Sequence, residues 1–368
     1  MPITPVMRAI RPRHALEAPV EHGRRSIHLR GDAAYVMHDV EAQSGVRAGV
    51  LDVDDVLPPP PLCISCDGPN QGRRLVMPFI GCLGDASSIL AVLAELKRRA
   101  PGRTVHVATT PGPAELFAMS DIVDELLPYP LTLEAWRTFD SYFSLEAVYR
   151  TGQKAGRPLP RIFADAIGLE LPAMRYGLRI PGADPRPESG TNHPPIIGVA
   201  VPDQTSPRAY PVEVLRSILD GLRARGFAAV LLGEQSEAWA VEEDPPLMTD
   251  LRSRTPRLLE LSTWLLNLDV IVAHDSFIMH LAGALGRPLV VMSASTSTEH
   301  GTVYPGARAV ASEAECAPCH VAVGDCPLGH SACTAWDREH FNVERVLTAV
   351  DARICELNGL DVTPSAAR

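Results

Sequence analysis

The sequence predicts an α/β protein built from two successive doubly wound units. Three observations carry that expectation. Short apolar strands alternate with amphipathic helices in two series, a Pro/Gly/Ser-rich stretch at 181–195 separates the series, and 46% of the 368 residues are hydrophobic, enough for two cores.

Residues 1–20 are polar and Pro-containing and are expected to be poorly ordered. From 26 to 56 the segments SIHL, AAYVMHDV and VRAGVLDV are short and β-prone, separated by Gly-Asp and Ser-Gly turns. They predict a small antiparallel sheet, a β-rich appendage over 1–60. Four consecutive prolines at 58–61 form a stiff spacer after it. The first main unit, 70–185, opens with strand RLVMPFI and turns through GCLGDA. It then enters a helix at about 87–99, where Ile89, Leu90, Val92, Leu93 and Leu96 lie near helical spacing. Strand TVHVAT, a helix near 114–119 and strand VDELLPY follow. The second unit, 194–335, runs through strand IIGVAV, a helix over 211–225, strand AAVLLG, a helix near 256–266, strand DVIVAH, a helix carrying His280, and strand PLVVMSA. The remainder, 336–368, holds a last helix near 338–357, long enough to cross back to the first unit, and a tail.

A net charge of −10 and a pI near 5.6 argue against general nucleic-acid binding, which needs clustered Lys and Arg. No run of about 18 apolar residues appears, and the N-terminus lacks the apolar core of a secretory signal. A cytoplasmic protein without stable membrane insertion is expected, and in that setting eight cysteines point to metal ligands or free thiols rather than a disulfide framework.

The most informative stretch is LDVIVAHDSFIMHLAGALGRP, residues 268–288. An apolar strand ending in Asp275-Ser276 and opening a helix aims backbone N–H groups and the helix dipole at whatever sits above the turn, which favours a phosphate or diphosphate. The competing reading is an ordinary αβ unit capped by Asp275 or Ser276.

Together with the early Gly81-Cys82-Leu83-Gly84-Asp85 turn, the segment QTSPRAYP at 204–211 and the strand end Leu231-Leu232-Gly233-Glu234, this block resembles the glycosyltransferase family that includes the ADP-heptose:lipopolysaccharide heptosyltransferases. The resemblance covers about 74–350. It implies a GT-B architecture, two Rossmann-like domains facing a cleft, with the nucleotide sugar held by the second and the acceptor by the first. It also implies that Asp85, beside Gly84, is the base that takes the acceptor hydroxyl proton, with inversion at the anomeric carbon. Arg208 stands where relatives carry a basic residue on the phosphates, and Ser276 with its helix N-terminus would complete the cradle, so that no catalytic metal is needed. Gln204 is placed near the nucleotide or phosphate. Glu234, with Glu237 as its rival, is placed on the ribose or adenine. His280, one helical turn after Ser276, either reaches the diphosphate or holds the loop. One departure stands out: Phe277 follows Asp-Ser where the family usually has Gly.

Cys316, Cys319, Cys326 and Cys333 form C-x2-C-x6-C-x6-C around Gly and Pro, the pattern of a tetrahedral structural metal finger holding zinc or iron; two disulfides or free thiols are the alternatives. Such a finger with a β-rich N-terminal region also resembles the autotransporter O-heptosyltransferase subgroup. That narrower resemblance implies a protein acceptor in place of the lipopolysaccharide core, iron in the finger, and a homo-oligomer assembled through the N-terminal β region. Cys63 and Cys66 form half a site and receive no role; Cys82 and Cys355 read as partly buried thiols. The expected function is transfer of a heptose from a nucleotide-diphosphate donor such as ADP-heptose. Alternatives are a non-catalytic sugar-nucleotide or partner-binding protein and a sugar-nucleotide epimerase on the same architecture.

Overall fold

The structure, a computed structural model, describes residues 7–12, 18–22, 25–29, 33–48, 51–56, 73–143, 157–182, 194–202, 208–233 and 248–359, apart from 166, 173, 253, 322–325, 327 and 330–332. Contacts divide the chain into two compact units, Met1–Lys154 with Leu159–Arg179, and Ala155–Pro158 with Ile180–Arg368.

The first unit begins with strands β1 (Met7–Pro12), β2 (Ala18–His22), β3 (Arg25–Leu29) and β4 (Tyr35–His38), helix α1 (Asp39–Arg47) and β5 (Leu51–Val56). The expectation of disorder over 1–20 fails within 7–12 and 18–22. There β1 is an inner strand of an antiparallel sheet ordered β5-β1-β4-β9, in which β9 (Leu131–Thr132) comes from far along the chain, while β2 and β3 pair separately. The segments AAYVMHDV and VRAGVLDV also differ from the expected strands, because α1 takes up their junction, with Asp39 and Glu41 favouring its N-terminus and Arg47 its last turn. The Tyr129 hydroxyl ties this layer down, accepting from the His38 N–H at 3.0 Å and donating to the buried Glu41 carboxylate.

The rest of this unit is β6 (Arg74–Phe79), α2 (Leu83–Arg99), β7 (Thr104–Thr109), α3 (Pro111–Ala118), β8 (Glu125–Pro128), β9, α4 (Leu133–Trp136), β10 (Ser141–Tyr142) and α5 (Leu159–Asp165). Its parallel sheet is ordered β10-β6-β7-β8. Leu75, Val76, Met77 and Phe79 of β6 are all buried, as expected of a parallel strand covered on both faces. The chain winds outward from β6 to β8 and then returns to the other side of β6, so the carboxyl end of β6 lies at a reversal of strand order, where open α/β sheets bind ligands.

The second unit contains β11 (Ile196–Ala200), α6 (Val212–Ala224), β12 (Ala228–Leu232), β13 (Met248–Asp250), α7 (Leu258–Leu266), β14 (Val270–His274), α8 (Phe277–Ala284), β15 (Leu289–Ser293), α9 (Glu299–Thr302), β16 (Arg308–Ala311), a 3-10 turn (Thr334–Trp336) and α10 (Val343–Leu357). Six strands, ordered β13-β12-β11-β14-β15-β16, pair in parallel. The reversal falls between β11 and β14, so the loops leaving these two strands flank one crevice. Buried Val199, Val270, Val272, Val290 and Met292 share a core with Leu215, Ile218 and Leu222 of α6 and Val346, Leu347 and Val350 of α10. The last helix starts at Val343 rather than near 338, because the Asn342 side chain caps it by accepting from the Glu344 N–H at 2.9 Å.

Candidate functional site

At the carboxyl end of β6 the helix begins four residues earlier than the periodicity suggests, so Gly84 and Asp85 lie in its first turn. Cys82 is the N-cap. Its backbone N–H and its thiol both donate to Asp85 Oδ2, each at 3.1 Å, and the Asp85 N–H faces the sulfur in return, a capping box with cysteine in the usual serine place. A glycine is needed at 81: a β-carbon there would stand 2.7 Å from Phe79 Cζ and 3.0 Å from Asp85 Oδ2. Asp85 is half-buried, and Cys82 keeps exposed surface. Burial and then the Asp85 charge push the Cys82 thiol up to about 11. Of these causes the carboxylate 3.1 Å away is the one fixed by contact geometry, since Cys82 is not fully enclosed.

The second cluster sits at the reversal between β11 and β14. Asp275 is buried, with Arg208 Nη1 3.3 Å from its Oδ2 and His280 Nε2 3.6 Å from its Oδ1. His280 is braced from behind by Tyr304, its Nδ1 2.6 Å from the tyrosine hydroxyl. Tyr210 holds the other flank: its hydroxyl donates to the Ala200 carbonyl at 2.5 Å and its ring meets His274 edge-on, 5.5 Å between centroids. Ser276 is the N-cap of α8, yet its hydroxyl makes no capping bond and its Oγ is a buried oxygen with no hydrogen-bond partner among the described residues. A buried hydroxyl normally finds a partner. An unmatched one at an uncapped helix N-terminus, with a guanidinium at the same turn, is suited to an anionic oxygen. A buried carboxylate would repel that anion, so the geometry gives Asp275 the work of orienting Arg208 and His280. Phe277 occupies the first helical position and is half-buried.

Arg208, Asp275, Ser276 and His280 are thus brought to one crevice of the second unit, while Gly84 and Asp85 belong to the first. Gln204, Glu234 and Glu237 lie outside the described residues, as do Cys63 and Cys66. Tyr210 and Tyr304 are supports that the sequence reading missed. The one signal for Tyr210 is its place in QTSPRAYP, and Tyr304 has none, being 24 positions from the residue it braces.

Cys316, Cys319, Cys326 and Cys333 are all half-buried free thiols. Burial raises the Cys333 thiol, with smaller contributions from the nearby Cys319, Cys316 and Cys326. The four therefore share one neighbourhood of the chemistry a thiophilic metal needs. Among the described residues, however, no three His, Cys, Asp or Glu side chains are drawn together closely enough to hold an ion. Elsewhere on this unit a cavity of about 390 Å³ opens between the starts of α6 and α10, lined by Val214, Trp336, Phe341 and Val343 among others; none of Arg208, Asp275, Ser276 and His280 lines it. No helix among the described residues is long and apolar enough to cross a membrane.

Residues 160–328 match the family model for glycosyltransferase family 9 (heptosyltransferase). The match spans 169 of the 368 residues, a little under half of the chain. The match includes Arg208, Asp275, Ser276, His280 and three of the four finger cysteines; Asp85 lies before it. Glycosyl transfer is the enzyme class of the matched family. Among solved structures, a family 9 glycosyl transferase from Veillonella parvula is 14% identical, with a TM-score of 0.58 over 79% of this chain and 100% of that one. The ADP-heptose lps heptosyltransferase II of E. coli is 17% identical, with a TM-score of 0.55 over 77% and 99%. The dodecameric iron-containing heptosyltransferase TibC, from enterotoxigenic E. coli, is 12% identical in its ADP-D-beta-D-heptose complex, with a TM-score of 0.58 over 96% and 92%; a second structure of that protein overlaps 78% of this chain. At these identities the likeness is one of fold. None of the curated proteins matches the sequence significantly.

Proposed function

We propose that this family 9 glycosyltransferase transfers a heptose from ADP-heptose to an acceptor hydroxyl, inverting the anomeric centre. The observation that carries the reading is the unpartnered buried hydroxyl of Ser276 at the uncapped start of α8, beside the Arg208–Asp275 pair. In this reading the departing ADP is received by Arg208, Ser276 and the first-turn N–H groups of α8, with His280 held in place by Asp275 and Tyr304. Asp85 takes the proton of the acceptor hydroxyl as its oxygen bonds to the anomeric carbon and the bond to the phosphate oxygen breaks. Positive charge for the leaving group comes from Arg208 and the helix, so turnover should not depend on added divalent cations. The test is transfer from ADP-heptose by purified protein, with Asp85→Asn and Arg208→Ala beside it. Asp85→Asn should keep ADP affinity and lose transfer by roughly 10²–10⁴-fold, and Arg208→Ala should lose both affinity and rate. Wild-type turnover in Asp85→Asn would remove Asp85 from the base role. ADP binding without transfer or donor hydrolysis in the wild type would favour the non-catalytic alternative, for which Phe277 is the feature to revert to Gly.

For the acceptor, the resemblance of a four-cysteine finger with a β-rich N-terminal region to the autotransporter O-heptosyltransferase subgroup favours a protein over the lipopolysaccharide core. On this reading the enzyme works in the bacterial cytoplasm as a homo-oligomer assembled through its N-terminal β region, and Cys316, Cys319, Cys326 and Cys333 hold a structural metal, zinc or iron. Deleting 1–57 should then lower the oligomeric mass in light scattering and impair protein glycosylation while sparing ADP binding. Metal analysis should find about one ion per four-cysteine site, lost in Cys316→Ser; a metal-free, fully folded wild type would overturn that assignment.

A further inference from the structure

A cysteine at the N-cap next to the candidate base is an unusual choice, because Ser, Thr, Asp and Asn are the residues that cap well. The box it forms does more than start a helix. Both of its donors, the Cys82 N–H and the Cys82 thiol, fall on the same carboxylate oxygen, Asp85 Oδ2, at 3.1 Å. Oδ1 receives no bond from any described residue. Gly81 keeps the turn close enough for this, since a side chain there would meet Phe79 and Asp85 Oδ2. We propose that Cys82 is a positioning residue for the transfer reaction: its thiol holds Asp85 in one rotamer through Oδ2, so that Oδ1 is presented to the acceptor hydroxyl.

The inference rests on Asp85 being the base. During transfer the acceptor proton passes to Oδ1, and the thiol keeps its own proton throughout. Two donors on Oδ2 take up part of the carboxylate charge, and in exchange the lone pair that does the work stays aimed. Cysteine suits this balance, because a thiol is a weaker donor than a hydroxyl and withdraws less. The ionised carboxylate in turn hinders loss of the thiol proton, which is consistent with the thiol standing near 11.

Two readouts test this. In steady-state kinetics Cys82→Ala should lower kcat roughly tenfold, the rate equivalent of one lost hydrogen bond to a charged group, with the donor KM unchanged. Cys82→Ser should restore kcat to within a few-fold. Reduced folding alone would lower activity in step with the folded fraction seen by circular dichroism, whereas a positioning role lowers kcat in a fully folded Cys82→Ala protein. The second readout needs no turnover: iodoacetamide labelling of the Cys82 peptide at pH 8, followed by mass spectrometry, should be several-fold faster in Asp85→Asn than in wild type. A Cys82→Ala enzyme with wild-type kcat overturns the proposal, and so does labelling that ignores Asp85→Asn. If Asp85→Asn itself transfers normally, the base reading has failed, and the labelling still reports whether the thiol contact exists.

Discussion

Replacing Gly283 with alanine tests the donor-side cluster through packing alone. Gly283 lies in α8, and a β-carbon there would stand 2.3 Å from Tyr304 Cγ and Cδ1 and 2.6 Å from Cδ2. The tyrosine is 2% exposed and cannot swing into solvent, and moving it pulls on the bond to His280. Alanine in a helix gains about 1 kcal/mol over glycine. Against that stand overpacking, about 1–3 kcal/mol, and one weakened buried hydrogen bond, about 1 kcal/mol. The net loss is about 1–3 kcal/mol, a fall in Tm of roughly 2–12 °C for a unit of this size. Gly112 in α3 supplies the control, since a β-carbon there meets nothing within 4 Å and Gly112→Ala should gain a few tenths to 1 kcal/mol. Circular dichroism melts of both variants, with calorimetric titration of ADP, give the answer. Gly283→Ala should lose stability and ADP affinity together. A Gly283→Ala protein stabilised like Gly112→Ala, with unchanged affinity, would refute the claim that Tyr304 is wedged against α8 to hold His280.

Tyr304→Phe removes the hydroxyl at 2.6 Å from His280 Nδ1 without changing the ring, and should cost about 1–2 kcal/mol in urea unfolding and weaken ADP binding severalfold. Glu95 gives a pH dependence: hydrogen bonds from Arg98 and Arg99, working against its desolvation, hold its carboxyl down to about 2. The folded value lies below the unfolded one of 4.5, so this stability is complete above about pH 4.5 and is lost as the pH falls towards 2. Because Arg98 is half exposed, solvent screening trims it to about 1 kcal/mol. The stability gap between wild type and Glu95→Gln should therefore narrow between pH 5 and 3 in urea titrations, and a constant gap would contradict the ion-pair account.

What was legible in the sequence follows from how local the cause is. The buried strands β11 and β14 read plainly, since strands covered on both faces are continuous apolar runs. The start of α2 did not, because a cysteine N-cap carries none of the usual signal, and the helix was read one turn late. Strand β1 was hidden for a different reason. Its pairing with β5 shifts register between Ala9 and Ile10, so the alternation breaks there, and Met7 and Ile10 serve different cores. Among the candidate residues of the two units, Asp85, Arg208, Asp275 and His280 could be picked out because charged and imidazole side chains in strand-to-helix turns and first helical turns are conspicuous. Their supports could not. Arg208 and Asp275 lie 67 positions apart, and Tyr304 looks like any core aromatic until the fold places it behind His280. The same limit governs the role of Asp275: its residue type in that motif suggests a ligand contact, whereas its burial between a guanidinium and an imidazole makes it the anion that aims the cation. That difference is measurable, since Asp275→Asn should weaken ADP binding by loosening Arg208, although it removes a negative charge from an anion site. A simple gain in ADP affinity from that charge removal would show that Asp275 opposes the ligand without organising its site.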